Sequence, residues 1–214
     1  MSQELFTMED IEAVLESVNK ERLSKYLIHT SNDLRQTANL YLWNLKISSE
    51  FWFIFNIFEV TLRNSIDEQI SLISLAQDWL DDEVLLHRKE LGNINRAREK
   101  FENSNYSISH DRIIAELNFG FWVALFQNNY HSALWVKGLD KCFPNYDGTR
   151  KKIHEILENL RILRNRIAHH EPIFQLNLDE QFINLTNLVS LMNSNMAGLI
   201  DRNSQVPFLL SNCP

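Results

Sequence analysis

The run Leu163-Arg-Asn-Arg-Ile-Ala-His-His-Glu-Pro172 sets an arginine, a carboxamide and two histidines within a few positions of a proline. An imidazole titrates near neutrality and can act as general acid or base, while a guanidinium clamps phosphoryl oxygens in bidentate fashion. Arg164 and His169 together therefore suit phosphoryl-oxygen chemistry that needs no metal. Two other readings stay open for the histidines. His169 and His170 can cap a helix C-terminus, where imidazolium meets the dipole favourably. With Glu171 they can also be taken as metal ligands, but three consecutive residues of a regular helix cannot all face one ion, so neither metal nor cofactor is expected.

The element that must carry this motif is a periodic helix over 149–169, stopped by Pro172. At 100° per residue from Ile153, the side chains Ile156, Leu157, Leu160, Leu163 and Ile167 gather between about 280° and 40°. Arg164 falls at about 20°, in the middle of that stripe. A guanidinium there is costly unless it is paired or faces a cleft, so the arginine marks a buried salt bridge or an anion-holding cleft or subunit interface. Arg164 and His169 lie about 140° apart on an ideal helix and converge only where the helix ends or a second subunit supplies one of them. Six basic residues (Arg150, Lys151, Lys152, Arg161, Arg164, Arg166) face two acidic ones (Glu155, Glu158) over 150–170, the best local candidate for a polyanion contact. An ordinary solvated face reads equally well for Arg150 to Lys152.

A second charged pair lies upstream. Glu59 and Arg63 flank an apolar band of Phe51, Phe55, Phe58, Leu62, Ile66 and Ile73, and their i, i+4 spacing allows an internal ion pair. The alternative is that Glu59 orients Arg164 or Arg63 in the cleft. The aromatic cluster Phe119, Phe121, Trp122 and Phe126 is expected to pack in the core rather than stack bases.

Residues 1–91 hold no glycine and no proline, so the first part of the chain can run through long helices. The expected elements are a helix over 8–17 with Thr7 and Asp10 in a capping-box arrangement, one over 20–45, and one from Ser48-Ser49-Glu50 to about residue 76. Shorter pieces follow over 93–102 and 109–118. A turn at Asn118-Phe-Gly120, a loop over 137–148, a helix over 178–196 and a frayed tail over 200–214 complete the reading. Five glycines and four prolines in 214 residues are too few for the turns of a sandwich or barrel, where roughly 12% is usual. One all-α domain spanning 1–214 is expected.

The 28 acidic against 21 basic side chains give a net charge of −7, so any nucleic-acid contact must be a local patch. Cys142 and Cys213 have no metal-ligand or disulfide spacing around them, which fits a reducing compartment. The most apolar stretch, Phe51 to Phe58, is far short of the ~20 residues of a membrane span. With no signal-peptide pattern at the start, a cytoplasmic protein without membrane contact is expected.

Leu163-Arg-Asn-Arg-Ile-Ala-His-His-Glu-Pro-Ile-Phe174 resembles the signature of the Abi-like, abortive-infection family of bacterial phage-resistance proteins. Phe58-Glu-Val-Thr-Leu-Arg-Asn-Ser65 and Leu117-Asn-Phe-Gly-Phe-Trp122 look like that family's other recurring segments, in the same order, so the resemblance covers residues 30–196. The family is similar to the HEPN superfamily of helical bundles, whose active members are metal-independent endoribonucleases. The resemblance implies a HEPN-like bundle with additional helices. Its Arg-x4-6-His motif falls on Arg164 and His169, with Asn165 as the polar residue after the arginine. It further implies a homodimer with two motifs facing each other and RNA as substrate, cut by the ribose 2′-hydroxyl to give a 2′,3′-cyclic phosphate. Asn165 would hold the histidine or the phosphate, Arg166 or His170 would contact neighbouring phosphates, and a cognate antitoxin, RNA or protein, would restrain the activity. The tyrosine that some family members carry after the histidine has no counterpart in His170-Glu-Pro-Ile-Phe174. A non-catalytic dimeric RNA-binding or scaffold protein in phage defence is the competing reading.

Overall fold

The computed structural model describes residues 5–102 and 107–214. The chain is 74% helical with no strand among the described residues, so the expected all-α class is observed. Contacts divide it into two compact units. The first comprises the residues up to Asn56 with Leu163–Ile183 and Leu199–Pro214; the second comprises Ile57–Ile162 and Asn184–Gly198.

In the first unit, α1 (Met8–Ser17) begins with the expected capping box: the Asp10 amide donates to Thr7 Oγ1 at 3.2 Å and the Thr7 amide donates to Asp10 Oδ2 at 2.8 Å. Those bonds from the Thr7 amide and hydroxyl hold the Asp10 carboxyl below its usual range. The helix expected over 20–45 is instead two, α2 (Lys20–His29) and the start of α3 (Leu34–Ile73). After α2, Ser31 and Asn32 take left-handed backbone with φ of 53° and 66°. The Asn32 amide bonds back to the Leu27 carbonyl at 2.8 Å, a Schellman closure, and Asp33 restarts the helix by accepting from the Gln36 amide at 3.0 Å.

The start expected at Ser48-Ser49-Glu50 does not exist. Helix α3 passes through it unbroken for 40 residues. Trp43, Ile47, Phe51, Phe55, Phe58, Leu62, Ile66 and Ile70 are all buried at three- to four-residue spacing, and that continuous stripe outweighs the local preference of two serines for a cap.

The frayed tail is also corrected. Helix α8 (Leu178–Met192) stops short of 196, and α9 (Ser194–Asn203) and α10 (Val206–Ser211) follow it. Ile200, Val206 and Leu209 are fully buried in the first unit. The indole of Trp43 donates to the Leu209 carbonyl at 2.8 Å, and Glu50 accepts from the Gln205 amide at 2.9 Å.

The second unit holds α4 (Arg88–Glu102), α5 (His110–Glu116), α6 (Phe119–Ala124) and most of α7 (Arg150–Ala168), with a short 3-10 turn over Leu139–Cys142 inside the expected loop. Asn118 caps α6 by accepting from the Phe121 amide at 3.0 Å. Phe119, Phe121, Trp122 and Phe126 are buried, the core role expected of them; Phe58 and Phe119 meet edge to face at 5.8 Å.

His110, at the head of α5, presents both ring nitrogens to carboxylates, Nε2 at 2.7 Å from Asp67 and Nδ1 at 3.0 Å from Asp78. Those same oxygens also accept from the Trp79 indole at 2.7 Å and the Leu80 amide at 3.0 Å, so a doubly protonated ring is the form that completes both bonds. Burial alone would push this imidazole down. The hydrogen bonds and charges of Asp67 and Asp78 outweigh it and hold the ring above its usual range.

Candidate functional site

Ile153, Leu157, Leu160, Leu163 and Ile167 of α7 are buried, as the helical period predicts. Ile156 and Arg164 are half-buried, so the arginine stands at the flank of the stripe rather than within the core. Its guanidinium carbon lies 5.1 Å from the ring centroid of Trp52 on α3. A flat cation over an indole face keeps an attraction that water weakens little, which makes the half-buried position tolerable.

Helix α7 ends at Ala168, directly before His169. His169 follows as the half-helical cap, its amide still bonded to the Asn165 carbonyl at 2.9 Å. His170 then turns left-handed, with φ of 55°. Its amide reaches the Ile167 carbonyl at 2.9 Å and the Glu171 amide reaches the Arg166 carbonyl at 2.7 Å, the two bonds of a Schellman motif. Glycine usually occupies that position. A histidine there carries a strain of about 1 to 2 kcal/mol, the kind of backbone cost that clusters at functional sites.

The turn is pinned from several sides. Arg166 Nη1 donates to the Pro172 carbonyl at 3.3 Å, so this arginine braces the turn. Buried Asn44 on α3 accepts from the Ile173 and Phe174 amides at 2.7 and 3.3 Å. From α2, Arg22 Nη2 donates to the His170 carbonyl, and the Tyr26 and His29 rings lie 5.0 and 4.9 Å from the Phe174 ring.

Beside the turn opens a cavity of about 450 Å³, lined by Asn44, Leu45, Ser48, Ser49 and Trp52 of α3 and by Ile167, Ala168 and His170. Its walls offer two hydroxyls, one imidazole and an indole that also carries Arg164. His169 and His170 are both exposed, and Asn165 is half-buried. Of the expected site residues the cavity takes His170 directly and Arg164 through Trp52.

Glu59 and Arg63 belong to the second unit, both half-buried on α3, where Arg63 Nε donates to Asn64 Oδ1 at 3.2 Å. The basic run over 150–170 does not form one surface. Arg150 is buried in the second unit, donating to the Phe126 carbonyl and to Asn128 Oδ1, and Arg161 holds Glu158 Oε2 at 2.9 and 2.7 Å. Among the described residues no group of three or more histidine, cysteine or carboxylate side chains is placed to hold a metal ion, and no helix is long and apolar enough to cross a membrane.

The residues that sequence reasoning missed are Trp52, Asn44, Ser48, Ser49 and Arg22. The aromatic run 51–58 marked Trp52 only as apolar, and the two serines read as a helix start. Nothing in the sequence connects Arg22 to a turn 148 residues away. Compared with known proteins, the chain matches no family model, no curated protein and no solved structure.

Proposed function

We propose that this protein is a metal-independent endoribonuclease of the abortive-infection, HEPN type, acting in the cytoplasm. The observation that carries the reading is the end of α7: a half-buried Arg164 seated on Trp52, followed five and six residues on by His169 and His170 on a strained Schellman closure beside a cavity. The resemblance of Leu163 to Phe174 to the Abi-like signature supports it, as does the all-α fold.

In this reading neutral His169 takes the proton of the ribose 2′-hydroxyl, whose oxygen attacks the adjacent phosphorus. The P–O5′ bond breaks, a proton passes to the departing oxygen, and the products are a 2′,3′-cyclic phosphate and a 5′-hydroxyl. Arg164 stabilises the charge that grows on the non-bridging oxygens, and Asn165 orients the imidazole or the phosphate. DNA lacks the nucleophile. His170, which lines the cavity, contacts a flanking nucleotide, and Arg166 serves the site by bracing its turn.

Two copies would complete the site. Leu45 and Phe53 of α3 are exposed at 44% and 36% and flank the half-buried Trp52, an apolar rim suited to a second copy of the chain. The net charge of −7 favours a structured or cognate RNA over arbitrary long RNA, and a cognate antitoxin, RNA or protein, is a fitting restraint.

The test is incubation of purified protein with labelled total RNA in excess EDTA, beside Arg164→Ala and His169→Ala variants checked for folding and for dimer formation by sedimentation. Cleavage by the wild type that both folded variants lose is the expected result. The stacking of Arg164 on Trp52 also suits a non-catalytic dimeric RNA-binding or scaffold protein; RNA that stays intact with the wild type while binding persists would favour that reading.

A further inference from the structure

Backbone groups just past a helix C-terminus lack intrahelical partners and must find them elsewhere. At the end of α7 the carbonyl of His170 finds its partner on α2, where Arg22 Nη2 donates to it across 148 residues of sequence. The backbone of Arg22 is fixed at the start of α2, where its amide donates to Asn19 Oδ1 at 2.8 Å. Along the same face of α2, at i+4 and i+7, Tyr26 and His29 pack on Phe174. Helix α2 thus grips the segment 170–174 at two points, a charged one at the histidine and an aromatic one at Phe174.

The charged point is the informative one. Four residues on, the aromatic packing and the double acceptance by Asn44 would anchor Phe174 without any arginine. What Arg22 adds is a fixed peptide plane directly after His170, the residue in left-handed backbone that closes the turn after His169. A carbonyl held by a guanidinium forms a charge-assisted bond, stronger than one to water or a neutral donor.

We propose that Arg22 is a positioning residue for the His169–His170 turn: through the His170 carbonyl it holds closed the turn that carries the imidazoles, without touching substrate. The inference rests on the ribonuclease reading of that turn for its catalytic consequence. It stands by itself for the structural one. Catalysis by general acid–base groups is sensitive to displacements of about 1 Å, which can cost about 100-fold in rate. Removing Arg22 should therefore act on kcat and leave KM nearly unchanged, because the anion-binding surface is kept.

The experiment uses the full chain and the variants Arg22→Ala and Arg22→Lys. Amide hydrogen exchange at His170 and Glu171 is measured in each, and steady-state cleavage of a short RNA is measured in EDTA. Expected are a normal thermal melt, exchange at Glu171 faster by at least about 10-fold in Arg22→Ala, a kcat lower by about 10- to 100-fold with KM within about twofold, and partial recovery of both readouts in Arg22→Lys. Unchanged exchange overturns the proposal, and so does a rise in KM at constant kcat, which would make Arg22 a phosphate ligand. Should Arg22→Ala fail to fold, Arg22→Lys alone decides, since a weaker single donor still loosens the turn measurably. If the wild type leaves RNA intact, the ribonuclease reading has failed, while faster exchange at Glu171 still upholds the role of Arg22 in the turn and unchanged exchange ends it.

Discussion

The guanidinium of Arg164 stacks over the Trp52 indole with 5.1 Å between the guanidinium carbon and the ring centroid. Both residues are half-buried, so the pair keeps a cation at the edge of an apolar helix face and next to the cavity that Trp52 lines. A double-mutant cycle with Arg164→Ala and Trp52→Leu should give a coupling of about 0.5 to 1 kcal/mol in urea unfolding. Trp52→Phe should retain part of it. Strict additivity of the two single losses would mean that the stacking contributes nothing.

His170 occupies a backbone position built for glycine. His170→Gly should raise stability by about 0.5 to 1 kcal/mol, the relief of left-handed strain less the added freedom of the unfolded chain. His170→Ala keeps the strain and should not stabilise. Equal stabilities for the glycine and alanine variants would contradict the strained turn. If the imidazole contacts RNA, both variants lose cleavage alike whatever their stability.

The bridge of Asp67 and Asp78 through His110 makes the stability of the second unit pH-dependent. The ring's value is raised on folding, so its contribution is complete below the ordinary imidazole value of 6.5 and is lost as pH rises through the raised one. Melting the wild type and His110→Gln between about pH 6 and pH 9 should show the difference between them shrinking as pH rises. A difference that is constant or grows with pH would contradict the doubly protonated bridge.

The tail is part of the first unit's core. Leu209→Ala should cost about 2 to 4 kcal/mol, since the side chain is fully buried, while the backbone carbonyl that accepts from the Trp43 indole is kept. Chemical unfolding of that single variant checks it, and a loss under about 0.5 kcal/mol would restore the frayed tail.

What the sequence revealed followed from local rules. The Thr7 and Asp10 capping box, the turn at Asn118 and the buried face of α7 each depend on residues within a turn or two of one another. The arginine on that face was legible as an anomaly, and its seat at the edge of the stripe was not, because Trp52 comes from another helix. Where tertiary packing overruled local preference the reading failed. Ser48 and Ser49 favour a cap and sit inside a 40-residue helix whose stripe runs through them. The break at Ser31 and Asn32 was missed because left-handed backbone there is carried by residues other than glycine. Arg22 and the tail act across more than a hundred residues, a separation at which no spacing rule operates.

In the proposed reaction the ribose 2′-hydroxyl is the nucleophile at a site made by Arg164 and His169. The most direct measurement is the chemistry of the ends left on a short RNA after incubation with the wild type in excess EDTA, beside the same sequence carrying 2′-O-methyl groups. The unmodified RNA should give 2′,3′-cyclic phosphate and 5′-hydroxyl ends, and the methylated one none. Ends bearing 5′-phosphate, or cleavage of the methylated strand, would contradict it.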